Sequence, residues 1–373
     1  MKVDFINSAY RRFYENHKAQ IDVKVLDCLA AGRLTLREDV WQLERKTADY
    51  VGVKYCASVN SGTDALFLSL LALGIGKNDE VITVSNTFIA TIQAIVHTGA
   101  TPILIDVDED EQMNLDHLEA VITPKTKAVI PVHYTGMMVN MTRLMTIANE
   151  HNLHVVEDFC QALGSLQGDK KAGSFGVLNA VSFNNAKLLG GFCDGGAVTT
   201  DDRELYEKIC LLRNHWNIHQ LSVDSNDYPQ PSKMAWAWKS RLSNVNAAFL
   251  NVKFNIIDYI INRRKGIARQ YNDAFKDLPI WTPSEQEGRI WQEYHLRVDN
   301  RTKFKNFLTN HGIETLVRDE MPNHKLPGLG LEDFNLPVTE QLAKEVVRLP
   351  LHEWLSAEEV NYIIEVVINF YGK

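Results

Sequence analysis

The chain has 373 residues, 45% hydrophobic and 23% charged, with a formal net charge of −8. That is a globular composition with ample core and, at roughly 150 residues per domain, room for two domains. No run of about 18 apolar residues is present, so no membrane-spanning helix is expected. The start, "MKVDFINSAYRRFYEN", lacks the apolar stretch of a signal peptide. Cys28, Cys56, Cys160, Cys193 and Cys210 show no CxxC or CxxH spacing. Neither a metal site nor a disulfide framework is expected, and a reducing cytoplasm is the natural compartment. The acidic balance argues against nucleic acid as a partner. An anionic small molecule stays compatible, because local cations decide that case within a Debye length of about 10 Å.

The first element read is "SGTDALFLSLLALG" (61–74), a capped helix stopped by Gly74. "DEVITVS" (79–85) is a short strand, "TFIATIQAIVHTGA" (87–100) a helix and "TPILIDVD" (101–108) a strand. "KAVIPVHY" (127–134) and "LHVVEDF" (153–159) are further strands, separated by the amphipathic helix "MTRLMTIANEHN" (141–152). "NAVSFN" (179–184) and "GGAVTT" (195–200) add two more. Continuous Val/Ile strands alternating with helices of ten or more residues predict a mostly parallel sheet covered on both faces. The segment 219–233 is polar and turn-rich and reads as a long loop. Residues 243–275 read as one long helix, followed by a shorter mixed region: strand 294–299, helix 301–312 and closing helix 356–372. The expected organisation is a large α/β domain over 1–245 and a smaller α+β domain over 246–373, entered through the long helix.

Three places carry candidate chemistry. Ser61-Gly62-Thr63 opens a helix, where unpaired N–H groups, hydroxyls and the positive dipole end make an anion site, most naturally for phosphate. The same residues also read as a plain cap. Asp158 ends an apolar strand, at the carboxyl edge where ligands bind in open α/β sheets, or else caps the next helix; Gln161 lies three residues on. Lys187 follows an apolar strand and precedes Gly190, Gly191, Gly195 and Gly196. Alone it reads as a surface lysine. Beside backbone that approaches a ligand closely, a desolvated lysine becomes a usable nucleophile. A phosphate cradle, a strand-end acid and a buried lysine together are what pyridoxal 5′-phosphate requires.

Collinear segments then resemble the DegT-like nucleotide-sugar aminotransferases, a branch of the fold type I pyridoxal-phosphate enzymes. They are "SGTDAL" (61–66), "DEVITVSNTFIAT" (79–91), "GATPILIDVD" (99–108), "PVHYTG" (131–136), "VVEDFCQALGS" (155–165), "SFNNAKLLGGFCDGGAVTT" (182–200), "LRNH" (212–215) and "LPVTEQLAKEVVRLPLH" (336–352). The resemblance implies an aspartate-aminotransferase-like large domain with a mixed, mostly parallel seven-stranded sheet, and a homodimer with active sites at the interface. It implies that Lys187 forms the Schiff base to pyridoxal 5′-phosphate and moves the proton, with pyridoxamine phosphate as the intermediate form. Asp158 would pair with the ring nitrogen and Gln161 with the ring hydroxyl. Gly62, Thr63 and Ser182 would bind phosphate, and Phe88 would stack on the ring. Lys239, in "WKSRLSN", stands where the family often has an asparagine that reaches the partner's phosphate. Partner contacts are expected from the long helix and from 219–241.

The implied reaction moves an amino group from an amino acid, usually glutamate, to a ketone on a nucleoside-diphosphate-linked hexose. "RDEMPNH" (318–324) departs from the family's "HYPxPxH": Arg318, Asp319 and Glu320 replace residues that often face the sugar or nucleotide, and Arg318 and His324 are the substrate-binding candidates. "KLLGGFCDGGA" resembles the branch that aminates C-3. The alternatives are C-4 amination by the same chemistry and a cofactor-binding homologue that regulates without turnover. A nicotinamide enzyme is disfavoured, because no GxGxxG follows an early strand.

Overall fold

The computed structural model describes residues 1–215, 236–318 and 320–372. The expected loop at 219–233 and Asp319 lie outside the described residues. Six of the apolar runs become strands, and a seventh, β1 (Tyr55–Val59), joins them. They are β2 (Glu80–Val84), β3 (Thr101–Ile105), β4 (Thr126–Val129), β5 (His154–Asp158), β8 (Leu178–Ser182) and β9 (Gly196–Thr200). A small hairpin of β6 (Leu166–Gln167) and β7 (Lys170–Lys171) stands apart. The sheet order is β1-β9-β8-β5-β4-β2-β3. Only β9 runs antiparallel to its neighbours; the other pairs are parallel. This is the mixed, mostly parallel seven-stranded sheet expected. Every residue of β8 and β9 is buried, as a strand covered on both faces requires.

Helices cover the two faces. Leu66, Leu68 and Leu70 of α3 (Gly62–Ala72), Ile95 of α4 (Ala90–Thr98) and Ile209 of α6 (Arg203–Leu212) pack on one side with Val81, Val156 and Val198. On the other, Val40 and Leu43 of α2 (Glu38–Val51), Leu144 and Ile147 of α5 (Met141–Glu150) and Leu250 of α7 (Asn244–Phe254) meet Ile82, Val129 and Val181. The N-terminal α1 (Asn7–Ala30) lies against α7. Neither α1 nor α2 was among the expected elements. Arg213 fixes α2 and β1 from the end of α6: its guanidinium bonds Glu44 at 2.5 Å and the Ser58 carbonyl at 2.7 Å, and Glu44 accepts the Ser58 N–H.

The helix expected over 243–275 is two helices, α7 and α8 (Ile257–Phe275). The break at Asn255–Ile256 has a tertiary cause. Lys46 Nζ bonds the Asn251 carbonyl and Asn255 Oδ1, taking the acceptor that a continuing helix would offer to the Asn255 N–H. Ile256, at φ −116° and ψ 17°, then leaves helical geometry before α8 restarts. The changeover between cores falls inside α8. Ile257, Ile260 and Ile261 belong to the sheet's core. Ile267, Ala268, Tyr271 and Phe275 belong to a second core with β10 (Tyr294–Arg297), α9 (Arg301–Asn310), β11 (Val346–Leu349) and α11 (Ala357–Phe370). Before β11 runs α10 (Pro337–Glu345). Val3 joins this second core too, bridging to Ile313 through the Val3 N–H and the Gly312 carbonyl. No helix among the described residues is long and apolar enough to cross a membrane.

Candidate active site

Four strand ends meet at one edge of the sheet. Ser61 follows β1, Asp158 closes β5, Ser182 closes β8, and Gly196 opens the antiparallel β9 in register with Val59 and Ser182. The start of α3 is pressed between them. Ser61 caps it, its hydroxyl accepting the Asp64 N–H at 3.1 Å. A Cβ on Gly62 would lie 2.8 Å from Ser182 Cβ, and one on Gly196 2.5 Å from the Ser61 carbonyl. Both glycines are therefore needed for close approach of backbone.

A cavity of about 320 Å³ opens here. Of the residues singled out in the sequence, Gly62, Thr63, Phe88, Asp158, Gln161, Ser182, Lys187 and Arg318 line it. Asp158 is buried. Its Oδ2 accepts the Thr91 hydroxyl at 2.8 Å and its Oδ1 the Cys160 N–H at 3.2 Å. Thr91 donates to Asp158, so the Thr87 hydroxyl donates to Thr91. No ion pair to Asp158 exists among the described residues, so this buried carboxylate retains acceptor capacity for a cationic donor in the cavity. Gln161 uses Oε1 to accept the Thr135 N–H, which leaves its amide N–H groups for the cavity. Burial and the Asp158 charge push the Cys160 thiol well up, so it stays neutral beside them.

Lys187 sits in a tight turn after β8, its N–H donating to the Asn184 carbonyl. The flanking glycines serve this turn. A Cβ on Gly190 would lie 2.2 Å from the Asn185 carbonyl oxygen, and one on Gly191 2.3 Å from Asn246 Oδ1. The room a missing Cβ leaves at these two is taken by the chain itself, while their backbone lines a second cavity that Lys187 also borders. Asn246 of α7 holds the rest of the loop, accepting the Phe192 N–H and donating to the Asp194 carbonyl. Asp194 reaches back to the cavity and accepts the Asn184 amide at 2.7 Å.

The opposite wall comes from the C-terminal part of the chain. Glu293, buried, pairs with Arg348 at 2.5 Å and with Arg318. Burial pushes the Glu293 carboxyl up, but Arg348, Arg318 and Lys187 outweigh it and hold the group at about 2. Arg348 also bonds the Tyr134 hydroxyl. Gln292, beside Glu293, lines the cavity as well. Sequence reading did not single out Thr91, Gln292 or Glu293. Thr91 lay inside the quoted "NTFIAT", but nothing in the spacing of 292–293 pointed to Lys187, about a hundred residues away.

Two expected residues do not line this cavity. His324 is fully buried behind it: its Nδ1 meets Ser85 Oγ at 2.8 Å and its Nε2 meets Glu340 Oε1 at 3.2 Å. With Asn323, which donates to the Ser85 and Thr87 carbonyls, it props the turn that carries Phe88. Both ring nitrogens are engaged within the chain, so the geometry offers His324 as support for this turn from behind the cavity. Lys239 is exposed, bridged to Asn214, and outside its own chain's cavity.

Residues 15–368 match the DegT/DnrJ/EryC1/StrS aminotransferase family, and the chain belongs to it. The chain is 36% identical over 367 residues to a dTDP-3-amino-3,6-dideoxy-alpha-D-galactopyranose transaminase of Aneurinibacillus thermoaerophilus, covering 97% of this chain and 98% of that one. It is equally similar, 36% over 370 residues and 96% of each chain, to a pleiotropic regulatory protein of Geobacillus stearothermophilus. The structure superposes on a DegT DnrJ EryC1 StrS aminotransferase from Brucella abortus with a TM-score of 0.91, 31% identity and full coverage of both chains. Enzymes of this family use pyridoxal phosphate, and two solved neighbours hold its pyridoxamine form. The protein is a pyridoxal-phosphate-dependent aminotransferase.

The residues present fit that cofactor. The cavity offers a buried carboxylate without a cationic partner, a helix start that glycines bring against Ser182, and a lysine whose amine has no hydrogen bond among the described residues.

Proposed function

We propose that this enzyme transfers an amino group from glutamate to C-3 of a nucleoside-diphosphate-linked keto-deoxyhexose. One observation carries the reading: Lys187, Asp158, Ser182 and the start of α3 converge on a single cavity at the carboxyl edge of the sheet. When bound, pyridoxal phosphate supplies the electron sink and the carrier for nitrogen. Lys187 anchors it and takes and returns the migrating proton at Nζ. Asp158 holds a proton on the ring nitrogen, and its bonds from Thr91 and the Cys160 N–H aim it. The N–H groups of Gly62 and Thr63, with the Ser182 hydroxyl, hold the phosphate at the positive end of α3. Gln161 donates to the ring hydroxyl, and Phe88 covers the ring face. Arg318, a quarter exposed, is the cation offered to an anionic substrate. Glu293 neutralises it when the cavity holds none. The unit is a cytoplasmic homodimer in which Lys239 reaches the partner's phosphate, and the large and small domains divide within α8, between Ile261 and Ile267, rather than at the 245 expected from the sequence.

Asp194-Gly195-Gly196 and the 3-amino product named for the Aneurinibacillus relative support C-3. Incubation with glutamate and 3-keto or 4-keto nucleotide sugars, with the new amine located by NMR, tests it; an amine at C-4 overturns the regiochemistry. The regulatory relative motivates a second reading, a homologue working without turnover. Conversion of the bound cofactor by glutamate, followed by absorbance, separates the two.

A further inference from the structure

We infer that Gln292 is a positioning residue for Lys187, holding the backbone on both sides of it from across the cavity. Its Oε1 accepts the Leu188 N–H at 2.9 Å and its Nε2 donates to the Ala186 carbonyl at 2.9 Å. One amide thus satisfies the residue before and the residue after the lysine, with the polarity each needs. Leu188 is buried, and no other partner for its N–H exists among the described residues. Without Gln292 that N–H loses its partner, a cost the turn avoids only by shifting.

Gln292 is itself fixed. It is buried, its N–H donates to the Thr135 carbonyl, and its own carbonyl accepts Arg264 Nη1 at 3.0 Å. Arg264 is held in turn by Glu353 at 3.0 Å. The clamp therefore runs from α8 and the segment after β11, through the residue preceding Glu293, to the turn that carries Lys187. With both neighbours of Lys187 bonded to Gln292, its side chain would move between cofactor and substrate without the loop following it. Placement to within an ångström is worth up to about a hundredfold in rate. A second side chain, Lys253, bonds the Gly190 carbonyl at 3.3 Å. It holds the far end of the same loop but touches neither neighbour of the lysine.

The inference rests on Lys187 being the catalytic lysine, and the experiment separates the two ideas. Gln292→Met keeps the length and removes both bonds; Gln292→Glu keeps the acceptor for Leu188 and loses the donor to Ala186. The first readout needs no turnover: hydrogen exchange at the Leu188 amide, with the Gly191 amide, bonded to the Phe183 carbonyl, as internal reference. Gln292→Met is expected to speed Leu188 exchange by about tenfold or more without moving Gly191, and Gln292→Glu to speed it less. The second readout is kinetic. In Gln292→Met, kcat falls by about 10- to 100-fold while KM for both substrates stays within about threefold. A merely structural glutamine would lower thermal stability and leave kcat per folded enzyme unchanged. Wild-type kcat in Gln292→Met, with or without faster Leu188 exchange, overturns the inference. Full activity in Lys187→Ala overturns the underlying site instead. If Gln292→Met fails to fold, Gln292→Glu alone decides through the lost Ala186 bond: unchanged kcat in Gln292→Glu rejects the clamp.

Discussion

Two walls face each other across the cavity, and they are held differently. The strand-end wall, from Ser61–Thr63, Asp158 and Ser182, is fixed by the sheet ladder, by glycines that allow backbone contact and by neutral hydroxyl and amide donors. The facing wall, from Gln292, Glu293 and Arg318, is fixed by charge: one buried carboxylate between two guanidiniums. The first wall leaves Asp158 without an ion pair among the described residues, which suits the proposed pairing with a cationic ring. The second sets one carboxylate against two guanidiniums, and the cationic surplus suits a surface that exchanges one anion for another. A rigid binding face and an exchangeable one are what a two-substrate transfer requires.

The largest effect that would break this contrast lies on the lysine between the walls. Lys187→Ala is expected to abolish transamination, by about a thousandfold or more. Borohydride-treated protein should lose the cofactor's added mass in the intact mass spectrum. Next comes the rigid wall. Asp158→Asn keeps the shape and removes the charge, and kcat should fall by about 10²–10³-fold; the enzyme's melting temperature should move little. A melting temperature that collapses while kcat survives would make Asp158 structural.

The charged wall should reveal itself through stability and pH. The Glu293 carboxyl is depressed from an ordinary 4.5 to about 2. A carboxyl depressed on folding contributes stability that is fully present above about 4.5 and is lost as pH falls toward 2. The shift corresponds to about 3 kcal/mol. Glu293→Gln should destabilise the protein by about 3 kcal/mol at pH 7, since it leaves Arg318 and Arg348 undercompensated. It should also flatten the acid limb, read as urea midpoints at pH 7, 4 and 3. The smallest effect is expected behind the cavity. His324→Ala should cost about 1–3 kcal/mol through the lost Ser85 and Glu340 bonds. KM for the nucleotide sugar should stay within about twofold, since Asn323 still holds the 85–87 turn. A tenfold rise in KM would return His324 to the substrate.

Much of the rigid wall was legible in the sequence because its signals are local. A helix opened by Ser-Gly-Thr, an acid closing a Val-Val strand and a lysine in a glycine-rich turn each announce themselves within a few residues. Six of the seven sheet strands were legible for the same reason: buried parallel strands are short continuous apolar runs. The break between α7 and α8 was not legible, because it depends on Lys46 arriving from α2, about two hundred residues away in the chain. The glycines beside Lys187 were read as clearance for a ligand, since a sequence does not say which backbone fills the space a missing Cβ leaves.

The sequence by itself determined the cofactor chemistry and the sheet that presents it. Lys187, Asp158 and the start of α3 are specified by residue type and by their place at the ends of elements, both local properties. Only the tertiary structure decided what holds them. It set Gln292 on both sides of Lys187, paired Glu293 with Arg318 and Arg348, and set His324 against Ser85 and Glu340 behind the cavity. Those roles follow from hydrogen-bond and charge complementarity between segments about a hundred or more residues apart, which no spacing along the chain encodes.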